Sequence, residues 1–203
     1  MHILHIDSSI QGDQSVSRKL SAAIVQRLRA VSPGSHTTYR DLAAEPLPQF
    51  SAAVAATVGN AAAEDPHGNA EIAPLCNALR EVLAADTIVI GAPMYNFSVP
   101  SQLKSWLDAL AVPGKTFSYG PEGVKGMLGD KRVIVASARG GFYGPDSPAA
   151  GNEHHETYLR SFFGFLGVTQ FEVIRAEGVR VAPEVAERAI SDALNQVAQL
   201  RAA

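Results

Sequence analysis

The chain has one cysteine, Cys76, among 203 residues. A lone cysteine forms no internal disulfide, and a reducing compartment follows as the simplest expectation. No basic excess exists: the formal net charge is −3 and the pI about 6.1. A nucleic-acid partner would favour a basic stripe, so none is expected. The charge also falls short of the strongly acidic balance of many small electron carriers. No apolar run approaches the roughly 20 residues of a membrane span. The start, Met1-His2-Ile3-Leu4-His5, has no Lys or Arg cluster and too short an apolar run for a signal peptide. A soluble, cytoplasmic protein with no membrane partner is the expectation.

Several catalytic signatures are also missing. There is no GxGxxG and no GxSxG. Gly114-Lys115-Thr116 looks like the end of a P-loop, but Ala109 stands where its first glycine belongs, and the triplet follows a helix-like stretch. No metal cluster stands out: His154-His155-Glu156 reads as a solvated helix start, and adjacent histidines diverge on a helix. His2 and His5 read as structural, Cys76 as packed on an apolar helix face, and Asp7 as a capping or turn-making residue.

What is present is alternation. Apolar or β-branched runs at Ile3 to Ile6, Thr37 to Leu42, Asp86 to Gly91, Lys131 to Ala136 and Val168 to Ala176 read as strands. Helical spacing separates them, as in Leu20, Ile24, Leu28 and Leu103, Trp106, Leu107, Leu110. Five strands alternating with five helices predict an α/β protein: a doubly wound five-stranded parallel sheet, order 2-1-3-4-5, with helices on both faces. A hydrophobic content of 46% suffices for one core, so 1–203 is expected to be a single domain with an irregular insertion at about 43–70.

In that order strands 1, 3 and 4 are neighbours, and ligands bind beyond their carboxyl ends. Three unusual loops follow those strands. Ser8 to Ser17, SSIQGDQSVS, leads into a helix N-terminus that favours an anion. Ser9, Ser15 and Ser17 can donate hydroxyls to a phosphate, while an N-cap role for Ser15 or Ser17 stands equally open. Met94, Tyr95 and Phe97 lie in a loop, where large apolar residues are usually shed unless they line a pocket. Arg139-Gly140-Gly141 can bring bare backbone against a ligand, or can serve a turn needing positive φ.

Taken with APMYNFSVPSQLKSWLD (92–108), these residues resemble the bacterial FMN-dependent NADH azoreductases and NADH:quinone oxidoreductases, a flavodoxin-like family. The likeness extends through Ser8-Ser9, Ser15 to Ser17, Arg40-Asp41-Leu42-Ala43, Thr116-Phe117, ARGG (138–141), Phe162, Gly164-Phe165-Leu166-Gly167 and Ala176-Glu177-Gly178. Val16 replaces a glutamine the family often has between its serines, and its backbone N–H survives. Ala138 replaces a serine, which removes a hydroxyl, with Ser137 one place earlier.

The resemblance implies non-covalent FMN on Ser9, Ser15, Val16, Ser17, Met94, Tyr95, Asn96, Phe97, Ala138, Arg139, Gly140 and Gly141. It implies two-electron reduction of quinones and reductive cleavage of azo compounds by NADH, in ping-pong hydride transfer through flavin N5. No protein catalytic residue is then required. It also implies a homodimer with the active site at its interface, with Tyr119 and Phe162 on the substrate face. A flavodoxin-type electron carrier is the alternative.

Overall fold

Aliphatic and β-branched runs build a parallel sheet in the computed structural model of the chain, which describes residues 1–49, 51–52, 54–55 and 72–202. Its strands are β1 (His2–Asp7), β2 (His36–Asp41), β3 (Thr87–Pro93), β6 (Arg132–Arg139) and β7 (Gln170–Glu177). They lie in the order β2-β1-β3-β6-β7, and every pair is parallel. β3 and β6 are buried along their whole length, which is why they carry no alternating polar residues. The edge strand β2 is partly exposed and correspondingly mixed, HTTYRD.

The five-stranded parallel arrangement matches the expectation, but the order 2-1-3-4-5 needs correcting. Two short strands that sequence reasoning missed, β4 (Phe117–Gly120) and β5 (Gly123–Gly126), form a separate antiparallel hairpin. The last two strands of the main sheet are therefore the sixth and seventh of the chain. The hairpin escaped notice because glycine occupies three of its eight strand positions, and glycine disfavours strands.

The helices that flank the sheet are α1 (Val16–Val31), α2 (Ala73–Ala84), α3 (Ser101–Leu110), α4 (Glu156–Phe165) and α5 (Pro183–Ala198). Alternate strand residues face opposite layers. Leu4, Ile6, Ile88, Ile90, Val133 and Val135 pack with Val82, Trp106 and Phe163, from α2, α3 and α4. Ile3, Val89, Ile134 and Ile174 pack with Leu20, Ile24, Ala193 and Val197 of α1 and α5. The expected irregular insertion at 43–70 falls largely outside the described residues. Leu47 and Val54, within it, are buried in the first of these layers. No helix among the described residues is long and apolar enough to cross a membrane.

Candidate functional site

The carboxyl ends of β1, β3 and β6 open onto a cleft of about 570 Å³. Of the predicted site residues, Ser15, Val16, Ser17, Met94, Tyr95, Asn96, Phe97, Ala138 and Gly140 line it. Ile10, Gln11, Pro93, Tyr143, Val179 and Arg180 also line it and were not foreseen. Val179 and Arg180 come from the turn after β7, tied down by three bonds. The Val179, Arg180 and Gly178 N–H groups donate to the carbonyls of Arg139, Gly140 and Gly141 at 3.0–3.1 Å. The glycine pair in the sequence marks one side of this exchange; nothing in the sequence marks the other.

At one wall, α1 begins. Ser15 is its N-cap: the hydroxyl accepts from the Arg18 N–H at 3.3 Å and pairs with the Ser17 hydroxyl at 3.0 Å. The capping reading is therefore met, yet it does not use up the helix end. Among the described residues the N–H groups of Val16 and Ser17 have no acceptor. Two free amides on a helix N-terminus, opening into a cleft, suit an anion.

The next wall is a tight turn. The Tyr95 N–H donates to the Ser98 carbonyl at 2.9 Å and the Ser98 N–H to the Tyr95 carbonyl at 3.1 Å. Asn96 and Phe97 between them have φ of 48° and 72°, so this is a type I′ turn with left-handed residues at both centres. Asparagine tolerates that conformation; a phenylalanine there is an outlier storing about 1–3 kcal/mol. Its ring is nevertheless 45% exposed, edge-on to Tyr143 at 6.1 Å. The strain is thus not offset by burial of the ring in this chain. The Asn96 and Phe97 N–H groups have no acceptor among the described residues.

At the third wall, neither Gly140 nor Gly141 has positive φ, so the turn reading of Arg-Gly-Gly is not met. A Cβ on either would meet only ordinary contacts, 3.4–3.6 Å from Arg180 or Tyr143. Their N–H groups have no acceptor among the described residues, while their carbonyls are bonded. Nothing in the fold itself demands glycine at either place, whereas close approach of a ligand to the backbone would.

The remaining predicted residues lie elsewhere, Gly141 beside the lining Gly140 but not itself part of the lining. Ser9 is fully buried behind the cleft wall, its hydroxyl 3.2 Å from the Tyr95 hydroxyl. Arg139 points its guanidinium away, to Glu156 at 2.6 Å and to Glu153 and Glu177 at 3.2 Å, and is 1% exposed. Tyr119 is on the hairpin, exposed, against Phe117; Phe162 is on α4 against Phe163. Neither lines the cleft of its own chain.

Two buried polar networks support these walls. Asp7 accepts from Ser21 at 2.8 Å and from the Tyr39 hydroxyl at 3.2 Å, and His5 bonds Ser21 at 3.0 Å. Asp7 is thus neither a cap nor a turn residue. Its Oδ1 lies 2.2 Å from where a Cβ on Gly91 would stand, which fixes glycine there. Burial, then the Asp7 and Asp41 charges, push the Tyr39 hydroxyl up to about 12.

The second network surrounds Arg139. Burial pushes the Glu153 carboxyl up, but the Thr157 hydroxyl, the Glu156 and Thr157 amides and Arg139 outweigh it and leave it at about 2. His155 was expected in solvent with His154; it is fully buried instead, with no partner among the described residues for either ring nitrogen. Burial first, and then Arg139, lower its pKa to about 4, so the ring is neutral.

Residues 1–200 match the family described as having a flavodoxin-like fold. The FMN-dependent NADH:quinone oxidoreductase of Methylorubrum extorquens (strain PA1) is 52% identical over 203 residues, covering all of both chains. The solved azoreductase from Bacillus anthracis str. Sterne superposes with a TM-score of 0.87 at 31% identity, covering 98% of this chain and 97% of that one. The FMN-dependent NADH-azoreductase from Bacillus anthracis str. Ames Ancestor, solved in complex with FMN, gives 0.79 at 25% identity, with 98% and 99% covered.

Proposed function

This chain belongs to the flavodoxin-like family of FMN-dependent NADH:quinone oxidoreductases and azoreductases, and from that premise we propose that it binds FMN in the cleft described and reduces quinones and azo compounds with NADH. One observation carries the reading: amides without acceptors among the described residues lie on all three walls, at Val16 and Ser17, at Asn96 and Phe97, and at Gly140.

The donor set fits FMN. The α1 amides, with Ser15 and Ser17, suit a phosphate; the Met94-to-Phe97 turn and the bare Gly140-Gly141 backbone suit a flat ring with polar edges. FMN held there would supply two-electron hydride chemistry through N5, with NADH as donor and a quinone or azo compound as acceptor, in a ping-pong cycle.

The chain's own residues bind, orient and polarise. The Gly140 N–H would donate where negative charge grows at a carbonyl edge, and a fixed donor needs no reorganisation for this. Phe97 presents its ring as a wall, and the Asn96 N–H is a donor beside it. A second cleft of about 590 Å³ shares Ile10, Tyr95 and Asn96 with the first and runs along the start of α3, giving room for a second ligand. Tyr119 and Phe162, remote from their own cleft, serve the partner's site in a homodimer. We take residues 1–203 as one domain with an irregular connection at 43–70, working in the cytoplasm.

The test is the absorption spectrum of the purified protein, followed by NADH consumption with a quinone and then an azo dye. Yellow protein that NADH bleaches and either acceptor restores is expected. Colourless protein that leaves added FMN fluorescence unchanged overturns the reading. Bound FMN that NADH does not bleach makes the protein a carrier instead. Sedimentation as a monomer at working concentration removes the partner roles of Tyr119 and Phe162.

A further inference from the structure

Arg18 stands in the first turn of α1, where the helix dipole disfavours a cation. It does not offer its charge to the cleft. Its Nη1 and Nη2 donate to the two carboxylate oxygens of Asp41, each at 2.7 Å. Its Nε and Nη2 donate to the carbonyl of Ser9 at 3.2 and 2.8 Å. The Tyr39 hydroxyl completes the set at 3.2 Å from Nη1. This fork, closed on a carboxylate and a carbonyl at once, is a geometry that arginine offers and lysine does not.

The Ser9 carbonyl belongs to the Ser9–Ile10 peptide. A trans peptide is planar, so its N–H points away from its carbonyl. That Ile10 N–H donates to the Tyr95 hydroxyl at 3.3 Å, and the same hydroxyl pairs with the Ser9 hydroxyl at 3.2 Å. A single peptide plane is therefore clamped at both edges. On one edge is Arg18, fixed by Asp41 at the end of β2; on the other is Tyr95, which opens the left-handed turn.

We infer that Arg18 is a positioning residue: through the Ser9–Ile10 peptide it ties the serine loop to the Tyr95 turn and so sets the spacing between the anion end and the ring end of the cleft. The inference rests on the proposed binding of FMN, because a ligand with both a phosphate and a ring is what makes that spacing matter.

The experiment is FMN titration of the apoprotein, read by flavin fluorescence, in a double-mutant cycle. Arg18→Gln and Tyr95→Phe each weaken binding about tenfold, the loss of one well-made polar contact. If both act through one peptide, the double variant is about as weak as the worse single variant. A loss near 100-fold, the product of the two, overturns the inference.

Two further variants separate position from charge. Arg18→Lys keeps the charge and loses the fork; it should bind as weakly as Arg18→Gln, and wild-type affinity refutes the positional role. Asp41→Asn removes a negative charge beside the anion end, so a pure charge effect tightens FMN binding. Loosening Arg18 weakens it, and that is the result expected. Should Arg18→Gln fail to fold, as judged by circular dichroism, these two variants carry the test. Wild-type protein that does not bind FMN overturns the proposed function and this inference together; binding with additive losses overturns the inference alone.

Discussion

Replacing His155 by leucine should stabilise the protein, and more so in acid. The imidazole is fully buried and neither nitrogen finds a partner among the described residues. An unsatisfied buried polar group costs about 1–3 kcal/mol, so an apolar side chain of similar volume is expected to gain about 1 kcal/mol at pH 7 after some loss of packing. The pH dependence follows from linkage. The folded pKa is lowered to about 4 from 6.5, so protons bind the unfolded chain first as pH falls. Stability is thus complete above pH 6.5 and drains away between 6.5 and about 4. Between pH 7 and pH 5 the wild type loses about 2 kcal/mol through this group alone, at about 1.4 kcal/mol per pH unit. For a chain of this size 1 kcal/mol shifts Tm by about 2–4 °C. The gap in Tm between His155→Leu and wild type should therefore widen by about 4–8 °C from pH 7 to pH 5. Thermal melts of both proteins across that range decide it. The difference between the two isolates His155 from the carboxylates, Glu153 among them, whose own losses come at lower pH. A gap that does not change with pH refutes the argument, as does a variant less stable than wild type at pH 5.

Phe97→Gly relieves the left-handed φ and should raise unfolding free energy by about 1 kcal/mol, while weakening FMN binding as the ring wall is lost; chemical denaturation and FMN titration report the two opposed effects. Gly91→Ala places a methyl 2.2 Å from the Asp7 carboxylate inside a fully buried strand, and should cost more than about 3 kcal/mol, seen as a large drop in denaturation midpoint. Gly140→Ala meets only ordinary contacts of 3.5 Å or more, so its melting temperature should stay within about 2 °C of wild type while FMN affinity falls at least tenfold; a variant that binds FMN normally refutes the close-approach role of this backbone.

The parallel sheet was legible because its strands are buried on both faces. Ile88 to Ile90 and Val133 to Val135 announce themselves by continuous aliphatic character, and the helices by their spacing. Residues 117–126 were illegible for the opposite reason. Their glycines, and exposure on both faces of the hairpin at Tyr119, Val124 and Lys125, give no period that separates them from a loop. In the site, proximity in sequence misled at Arg139. It neighbours Gly140, but strand alternation turns its side chain inward to three glutamates. His155 misled in the same way, sharing a helix start with the exposed His154. Val179 and Arg180 carried no signal, since they reach the cleft only through backbone exchange with residues 139–141.

The site shows itself most clearly where local rules fail. A phenylalanine holds a conformation suited to glycine, and its ring stays half exposed. Two glycines sit where φ is negative and a side chain would fit. Helix and turn amides lack acceptors among the described residues. In a fold that only had to be stable, each would be an independent defect, and there would be no reason for the defects to share a cleft. Strain at Phe97 of about 1–3 kcal/mol is a sizeable part of the 5–15 kcal/mol by which a domain is stable. A ligand with an anionic end and a flat polar-edged ring accounts for all three at once: the first amides meet the anion, the bare backbone meets the ring edge, and the strained turn aims an aromatic wall. The sequence carries the residues of that arrangement, but not the φ angles or the unpaired amides that make it a site. The position of Arg18 sharpens the point. It occupies an unfavourable helix position, and the gain it brings is a fixed peptide between two of the three walls.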